Sequence, residues 1–230
     1  GNVERLNPEH PCPILKPEYI VENCGMAMNV QRNIEALGVT CDIHTNDNWK
    51  ENEKIRYVDI KTNHMFVRVD NEQNYGRASV ASIDYEMYDA IVISDYKPFL
   101  TKKDISYICS KHPVTFLDTK KILGRWCLNS KFIKINKQEY EQSRKSINRK
   151  YNDKLIVTIG PSGCRYKGIV YSVPKLDVRD TSGCGDVFLA CLSVEYLRSK
   201  NIINAIEFAN RGASYAATKK GVVVVDEDML

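Results

Sequence analysis

The sequence predicts an α/β fold, a doubly wound, mostly parallel sheet flanked by helices. Two observations carry this expectation. Four short, mainly apolar runs, at residues 90–93, 114–117, 132–135 and 155–159, each end in polar residues, the pattern of strands buried on both faces of a parallel sheet. A polar turn with two glycines, Asp180-Thr181-Ser182-Gly183-Cys184-Gly185-Asp186, runs into residues 187–192, which are apolar on nearly every face and read as a buried helix. With 230 residues the chain suffices for one such domain with a sizeable core. No repeat or linker divides it, so residues 1–230 are read as a single domain.

Composition narrows the function classes. A hydrophobic content of 43% and a charged content of 27% are those of a soluble folded protein rather than a disordered one. The net charge of +4 suits an enzyme for anionic small molecules. There is no basic stripe with interleaved aromatics, so no nucleic-acid partner is expected. No apolar run approaches the roughly 20 residues that span a bilayer, and no signal peptide is visible. Eight cysteines include no CxxC pair, several lie in apolar runs, and the four histidines are scattered. That argues against a metal–thiolate site and for a reduced, cytoplasmic protein.

Taken in order, residues 1–20 are punctuated by Pro8, Pro11 and Pro13 and show no obvious strand. Val30, Ile34 and Leu37 form a helical stripe that Gly38 stops at the C′ position. Residues 39–44 read as a strand and 45–53 as a polar loop. Residues 54–60 and 65–69 alternate around Lys61-Thr62-Asn63-His64, a hairpin signal. Residues 88–96 read as a buried strand ending in Ser94-Asp95-Tyr96, and 114–120 as another ending in Asp118-Thr119-Lys120. A third runs from Phe132 into Asn136-Lys137-Gln138-Glu139, and a fourth, from Lys154, into the glycine turn Gly160-Pro161-Ser162-Gly163. Residues 168–174 hold a short strand. Residues 201–219 read as a helix whose small residues leave room for a flat ring or for close helix packing.

The turn at 180–186 concentrates the chemistry. Glycines uncover backbone N–H groups, and a helix start adds unpaired N–H groups and the positive end of a dipole, together a cradle for an anion. A carboxylate there would repel a resting phosphate. Asp186 makes sense as a base that takes a proton from an attacking hydroxyl while the amides hold the charge developing on a phosphoryl group. The plainer alternative is a glycine-rich strand-to-helix turn capped by Thr181 or Ser182. Asn136 and Glu139 likewise have a plain reading as a capping box, and Arg56 and Arg68 as a solvated strand face.

The stretch 180–186 closely resembles the signature of the ribokinase-like, or PfkB, sugar kinases, with Cys184 where a small residue such as Ala is usual. The opening Arg5-Leu6-Asn7-Pro8-Glu9-His10-Pro11-Cys12-Pro13-Ile14, followed by Cys24-Gly25-Met26-Ala27-Met28-Asn29-Val30, resembles the heptose 7-phosphate kinase branch, as do the stretches ending at Tyr96 and Lys120. The resemblance implies a ribokinase-like fold with a β-lid hairpin at about 54–70, ATP and Mg2+ as cofactors, and a sugar or sugar phosphate substrate of the heptose 7-phosphate type. It makes Asp186 the catalytic base and Gly183, Cys184 and Gly185 the anion hole. Asn136, Thr158, Gly160, Gly163 and Asn210 would line the nucleotide, and Glu139 would hold hydrated magnesium through water. Gly25, Asn29, Arg56, Arg68, Asp95 and Lys120 would meet the substrate. A tight turn at Gly25 would let backbone approach the sugar, and Arg56 and Arg68 could take a phosphate bidentately. The lid would also pair two subunits as a homodimer. Two features depart from the family: its first strand, with a sugar-gripping Asp, finds no counterpart, and the region 45–53 is much shorter. Two other readings stay open, a non-catalytic kinase-fold protein that binds nucleotide or sugar phosphate, and a kinase for another small alcohol such as fructose phosphate or a nucleoside.

Overall fold

The computed structural model describes residues 1–23, 25–71, 76–96 and 99–230. Cys24, and the Lys97-Pro98 pair after Tyr96, lie outside the described residues. The chain divides into two compact units, Gly1–Asn23 with Thr45–Gly76, and Cys24–His44 with Arg77–Leu230.

The smaller unit holds two antiparallel hairpins, β1 (Asn2–Leu6) with β2 (Pro13–Lys16) and β3 (Glu53–Val58) with β4 (Met65–Asn71). The first was not expected. Its strands are half-buried or exposed throughout, so no alternation marks them in the sequence. Gly1 ties the hairpins together, its amino group donating to Val58 O at 3.2 Å and its carbonyl accepting from Ile60 N at 2.9 Å. The second hairpin forms where the alternation places it. Asp59 shapes its turn by accepting from Thr62 N at 2.9 Å and Thr62 Oγ1 at 2.6 Å. Register puts Ile55 opposite Val69 and Tyr57 opposite Val67, so these four share one face of the ribbon. Lys54 opposite Asp70 and Arg56 opposite Arg68 share the other.

The larger unit is built on a six-stranded sheet. It contains β5 (Ile91–Asp95), β6 (Thr115–Thr119), β7 (Phe132–Asn136), β8 (Leu155–Thr158), β9 (Cys164–Tyr166) and β10 (Ile169–Tyr171), in the order β10-β9-β8-β7-β6-β5. The pairs from β5 to β8 are parallel, and β9 and β10 are added antiparallel. The four apolar runs thus become the four parallel strands. Alternate residues feed two cores: Phe116, Phe132 and Ile156 on one face, Leu117, Ile133, Ile135 and Val157 on the other.

Helices α1 (Met26–Ala36), α4 (Cys184–Ser199) and α5 (Ile202–Ala217) cover the first face, with Val30, Ile34, Leu189, Leu192 and Ile206 in its core. Helix α2 (Lys102–Lys111) supplies Ile105 and Ile108 to the second, and the short α3 (Lys137–Ser143) follows β7 directly. The small residues of α5 serve helix packing: a methyl group on Gly212 would sit 2.5 Å from Cys191 Sγ of α4. Gly38 follows α1 with a left-handed φ of 78°, the expected stop.

Residues 39–44 do not form the expected strand. Their side chains alternate between half-buried and exposed, but no ladder forms there. The Cys41 carbonyl instead accepts from Gln31 Nε2 at 2.8 Å. Among the described residues no helix is long and apolar enough to cross a membrane.

Candidate active site

Parallel pairing brings the carboxyl ends of β5 to β8 to one edge of the sheet, where ligands bind in open α/β folds. Register sets Asp95 opposite Thr119, Asp118 opposite Lys134, and Asn136 opposite Thr158. The start of α4 meets this edge: a methyl group on Gly185 would lie 2.9 Å from Lys134 Nζ.

The turn before α4 is held by Asp180, whose Oδ1 accepts from Ser182 N at 2.8 Å and whose Oδ2 accepts from Gly221 N at 3.0 Å. Neither Thr181 nor Ser182 caps the helix. Gly183 is the N-cap, in the left-handed region at φ 78°, with no side-chain cap bond. That conformation favours glycine, and a methyl group there would also press within 3.0 Å of Asn29 Nδ2. The Cys184 amide donates to Thr181 O at 3.3 Å, so this member of the expected anion hole is partly committed to the turn.

Asp186 accepts from Asn29 Nδ2 at 3.0 Å. Burial raises its pKa above the ordinary carboxylate value. The Asn29 hydrogen bond and the Lys134 charge pull it down, Asp118 pushes it up, and Lys120 pulls it down more weakly. Asn29 is itself buried on α1, and Asn33 one turn on donates to its carbonyl at 2.8 Å. Asn33 also accepts from Val225 N at 2.9 Å and donates to Val223 O at 3.4 Å, which fixes α1 against the segment after α5.

Cys184 stands in the same turn. A thiol at a helix N-terminus lowers its pKa where the dipole dominates. Here burial and then the Asp180 charge push the thiol up to about 11, and the side chain packs against the core formed with α1 and α5.

Glu139 sits beside the strand ends in the capping box expected of it. It accepts from Asn136 N at 2.7 Å and Asn136 Nδ2 at 2.8 Å, while Asn136 Oδ1 accepts from Glu139 N at 2.9 Å. It also pairs with Lys120. Asp95 lies at the same edge, but its buried carboxylate is taken by Lys121 Nζ at 2.6 and 2.7 Å and by Thr119 Oγ1 at 2.5 Å. It anchors β5 to β6 rather than standing open to a substrate.

Thr158 ends β8 with its hydroxyl 3.4 Å from Ile135 O. Gly160 and Gly163 both take positive φ, 62° and 87°. Among the described residues, nothing beyond its chain neighbours lies within 4 Å of a methyl group placed on Gly160, whereas one on Gly163 would collide with Tyr171 O at 2.1 Å. Asn210 of α5 donates to that same carbonyl at 2.9 Å. Gly163 and Asn210 therefore meet at Tyr171.

Gly25, Arg56 and Arg68 remain. Gly25 is the N-cap of α1 in ordinary extended backbone, φ −91°, and not a tight turn; the left-handed residue is Met26, φ 55°. Arg56 and Arg68 face each other across the β3–β4 ribbon of the smaller unit, and Arg68 bonds Asp70 at 2.8 Å. The sequence reading missed Lys134 and Asp118, whose ion pair spans 2.6 Å with both side chains largely buried. The signal was a single lysine inside the apolar run Phe132-Ile133-Lys134-Ile135.

Among the described residues no three His, Cys, Asp or Glu side chains gather as a metal cage. Magnesium retains several waters and needs only one or two carboxylates beside the phosphates it neutralises. The donor set here, with Glu139 at the strand ends, fits that outer role.

The family model described as pfkB family carbohydrate kinase matches residues 27–228. Among curated proteins, the bifunctional protein HldE of Helicobacter pylori strain J99 is 26% identical over 96% of this chain and 60% of its own length. That of Marinomonas sp. strain MWYL1 is 25% identical over 100% of this chain and 60% of its own. The chain thus spans about 60% of the length of the curated relatives it matches. Among solved structures, ribokinase from Thermotoga maritima superposes with a TM-score of 0.66 at 15% identity, over 99% of this chain and 92% of that one. Phosphofructokinase-2 from Escherichia coli, in complex with substrates and products, gives 0.67 at 15%, over 99% and 91%. At this identity the likeness establishes a shared ribokinase-like fold.

Proposed function

The chain belongs to the pfkB family of carbohydrate kinases, and from that membership we propose that it transfers the terminal phosphoryl group of ATP to a hydroxyl of a sugar or sugar phosphate, of the heptose 7-phosphate type. One observation carries the proposal: a half-buried carboxylate, Asp186, stands in the first turn of a helix that begins in glycine-rich backbone, with a buried amide, Asn29, bonded to it.

In this reading Asp186 takes the proton from the acceptor hydroxyl, and Asn29 orients the carboxylate. The amides of Gly183 and Gly185, with a smaller share from Cys184, receive the charge that spreads over the transferring group. The positive helix end favours that anion. Residues 158–163, Asn136 and Asn210 form the nucleotide side. Magnesium, when bound with the nucleotide, neutralises phosphate charge, and Glu139 would hold one of its waters. Lys120, half-exposed and paired with Glu139, would turn to a substrate phosphate. Positioning and electrostatics do most of the work, as in phosphoryl transfer generally.

The heptose type rests on the motifs of residues 5–14 and 24–38 together with the similarity to HldE proteins. The exposed apolar face of the β3–β4 hairpin, with Tyr57 43% and Val67 52% exposed, supports pairing of two lids as a homodimer. The free thiols among the described residues support a reducing, cytoplasmic setting. The test is ADP release against a panel of sugars and sugar phosphates, with Asp186→Asn as control. Turnover with a heptose 7-phosphate and none in the variant is the expected result. Equal turnover in both, or none with any sugar, removes the proposal.

A further inference from the structure

We propose that Lys134 is a positioning residue for phosphoryl transfer: held by Asp118, it presents a buried cation to the glycine turn that carries Asp186. The inference rests on the kinase reading above and adds a residue to it.

Three facts about Lys134 carry it. The lysine lies in the strand Phe132–Asn136, where Phe132, Ile133 and Ile135 are core residues, and its side chain is only 6% exposed. A cation in such a place is costly unless it is paired. Its one side-chain partner among the described residues is Asp118 Oδ2 at 2.6 Å, while Asp118 Oδ1 is buried and has no partner. The pair is therefore incompletely satisfied, an arrangement that serves packing poorly. The ammonium group reaches the position a methyl group on Gly185 would fill, 2.9 Å away, so the glycine leaves room for the charge as well as for a phosphoryl group.

The groups that face Asp186 come from every element around it. Asn29 comes from α1, Lys134 from β7, Asp118 from β6, and Lys120 from just beyond β6, where it pairs with Glu139. Lys134 favours the charged form of Asp186 and Asp118 opposes it. The two halves of one ion pair thus act on the base in opposite directions. Loss of the charge alone therefore moves the base in opposite directions for the two halves, whereas disruption of the shared strand ends would move it the same way for both.

The test uses the whole chain as wild type, Lys134→Met and Asp118→Asn. Two readouts are taken: the pH profile of kcat/KM with ATP and the best sugar acceptor, and the 13C NMR titration of the Asp186 carboxyl without ligand, assigned by its loss in Asp186→Asn. Lys134→Met should move the acidic limb and the carboxyl titration up, since it removes an opposite charge that favours the carboxylate. Asp118→Asn should move both down. Shifts in the same direction, or none in either variant, overturn the proposal. If Lys134→Met loses its fold by circular dichroism, Asp118→Asn decides alone, and an unchanged or upward shift overturns it. Absence of phosphoryl transfer by the wild type would strike the kinase reading, while the ligand-free titration still decides whether Lys134 controls the carboxylate.

Discussion

Asn29 Nδ2 donates to Asp186 Oδ2 at 3.0 Å, joining α1 to the first turn of α4 across 157 residues of chain. A buried amide aimed at a carboxylate favours its charged form and fixes its direction. Replacing Asn29 by Ala removes a hydrogen bond to a charged group, worth about 1.5–3 kcal/mol. We expect kcat/KM to fall by about 10-fold or more, with the acidic limb of the pH profile displaced upward. An unchanged limb would show that Asn29 does not act through Asp186.

Asp186→Asn should abolish turnover, a loss of roughly 10²–10⁴-fold from the base alone, while ATP binding by calorimetry stays near wild type. The same variant carries a stability prediction. The folded-state pKa of Asp186 is raised by burial, so the folded protein holds this proton more tightly than the unfolded chain does. That contribution to stability is fully present below the unfolded pKa and is lost as pH rises through the folded one. At neutral pH the variant should therefore melt at or above the wild-type temperature, and the difference should vanish in acid. A lower Tm for the variant at neutral pH would contradict the assigned direction.

Cys184 should be a slow thiol. Moving from the ordinary 9.0 to about 11 reduces the thiolate about 100-fold at neutral pH. With limiting iodoacetamide, peptide mapping should find the exposed Cys12 labelled well before Cys184, and Cys184→Ala should inactivate no more slowly than wild type. Rapid labelling of Cys184 would reverse the conclusion.

Gly212→Ala places a methyl group 2.5 Å from Cys191 Sγ, between α4 and α5. Overpacking of this kind costs about 1–3 kcal/mol. Thermal melts should show the loss, and Cys191→Ala in the same chain should recover part of it.

Much of this was legible in the chain. The parallel strands were readable because burial on both faces leaves apolar runs, and α4 because it is buried nearly all round. The polar ends of those runs located the sheet edge, and the glycine turn located Asp186. Register was not legible. Nothing local places Asp118 against Lys134, because parallel pairing is a tertiary choice. The same limit concealed the fate of Asp95, whose carboxylate is claimed by Lys121 some 26 residues on. Residues 39–44 erred the other way, alternating like a strand without a partner to pair with. The state of Cys184 was not legible either, because the burial that raises its thiol pKa comes from helices distant in sequence.

Asn33 has a consequence for the order of events during synthesis. Its amide is satisfied by Val223 and Val225, 190 and 192 residues further along. At translation rates of about 5–20 residues per second, α1 waits on the order of 10–40 s for the backbone that seats it. Until then Asn29 has no fixed place from which to hold Asp186. Asp186 itself emerges late, shortly before Val223, so α1 is made long before either the carboxylate or the backbone that seats it, and the Asn29–Asp186 bond forms only when residues 223–225 close over α1.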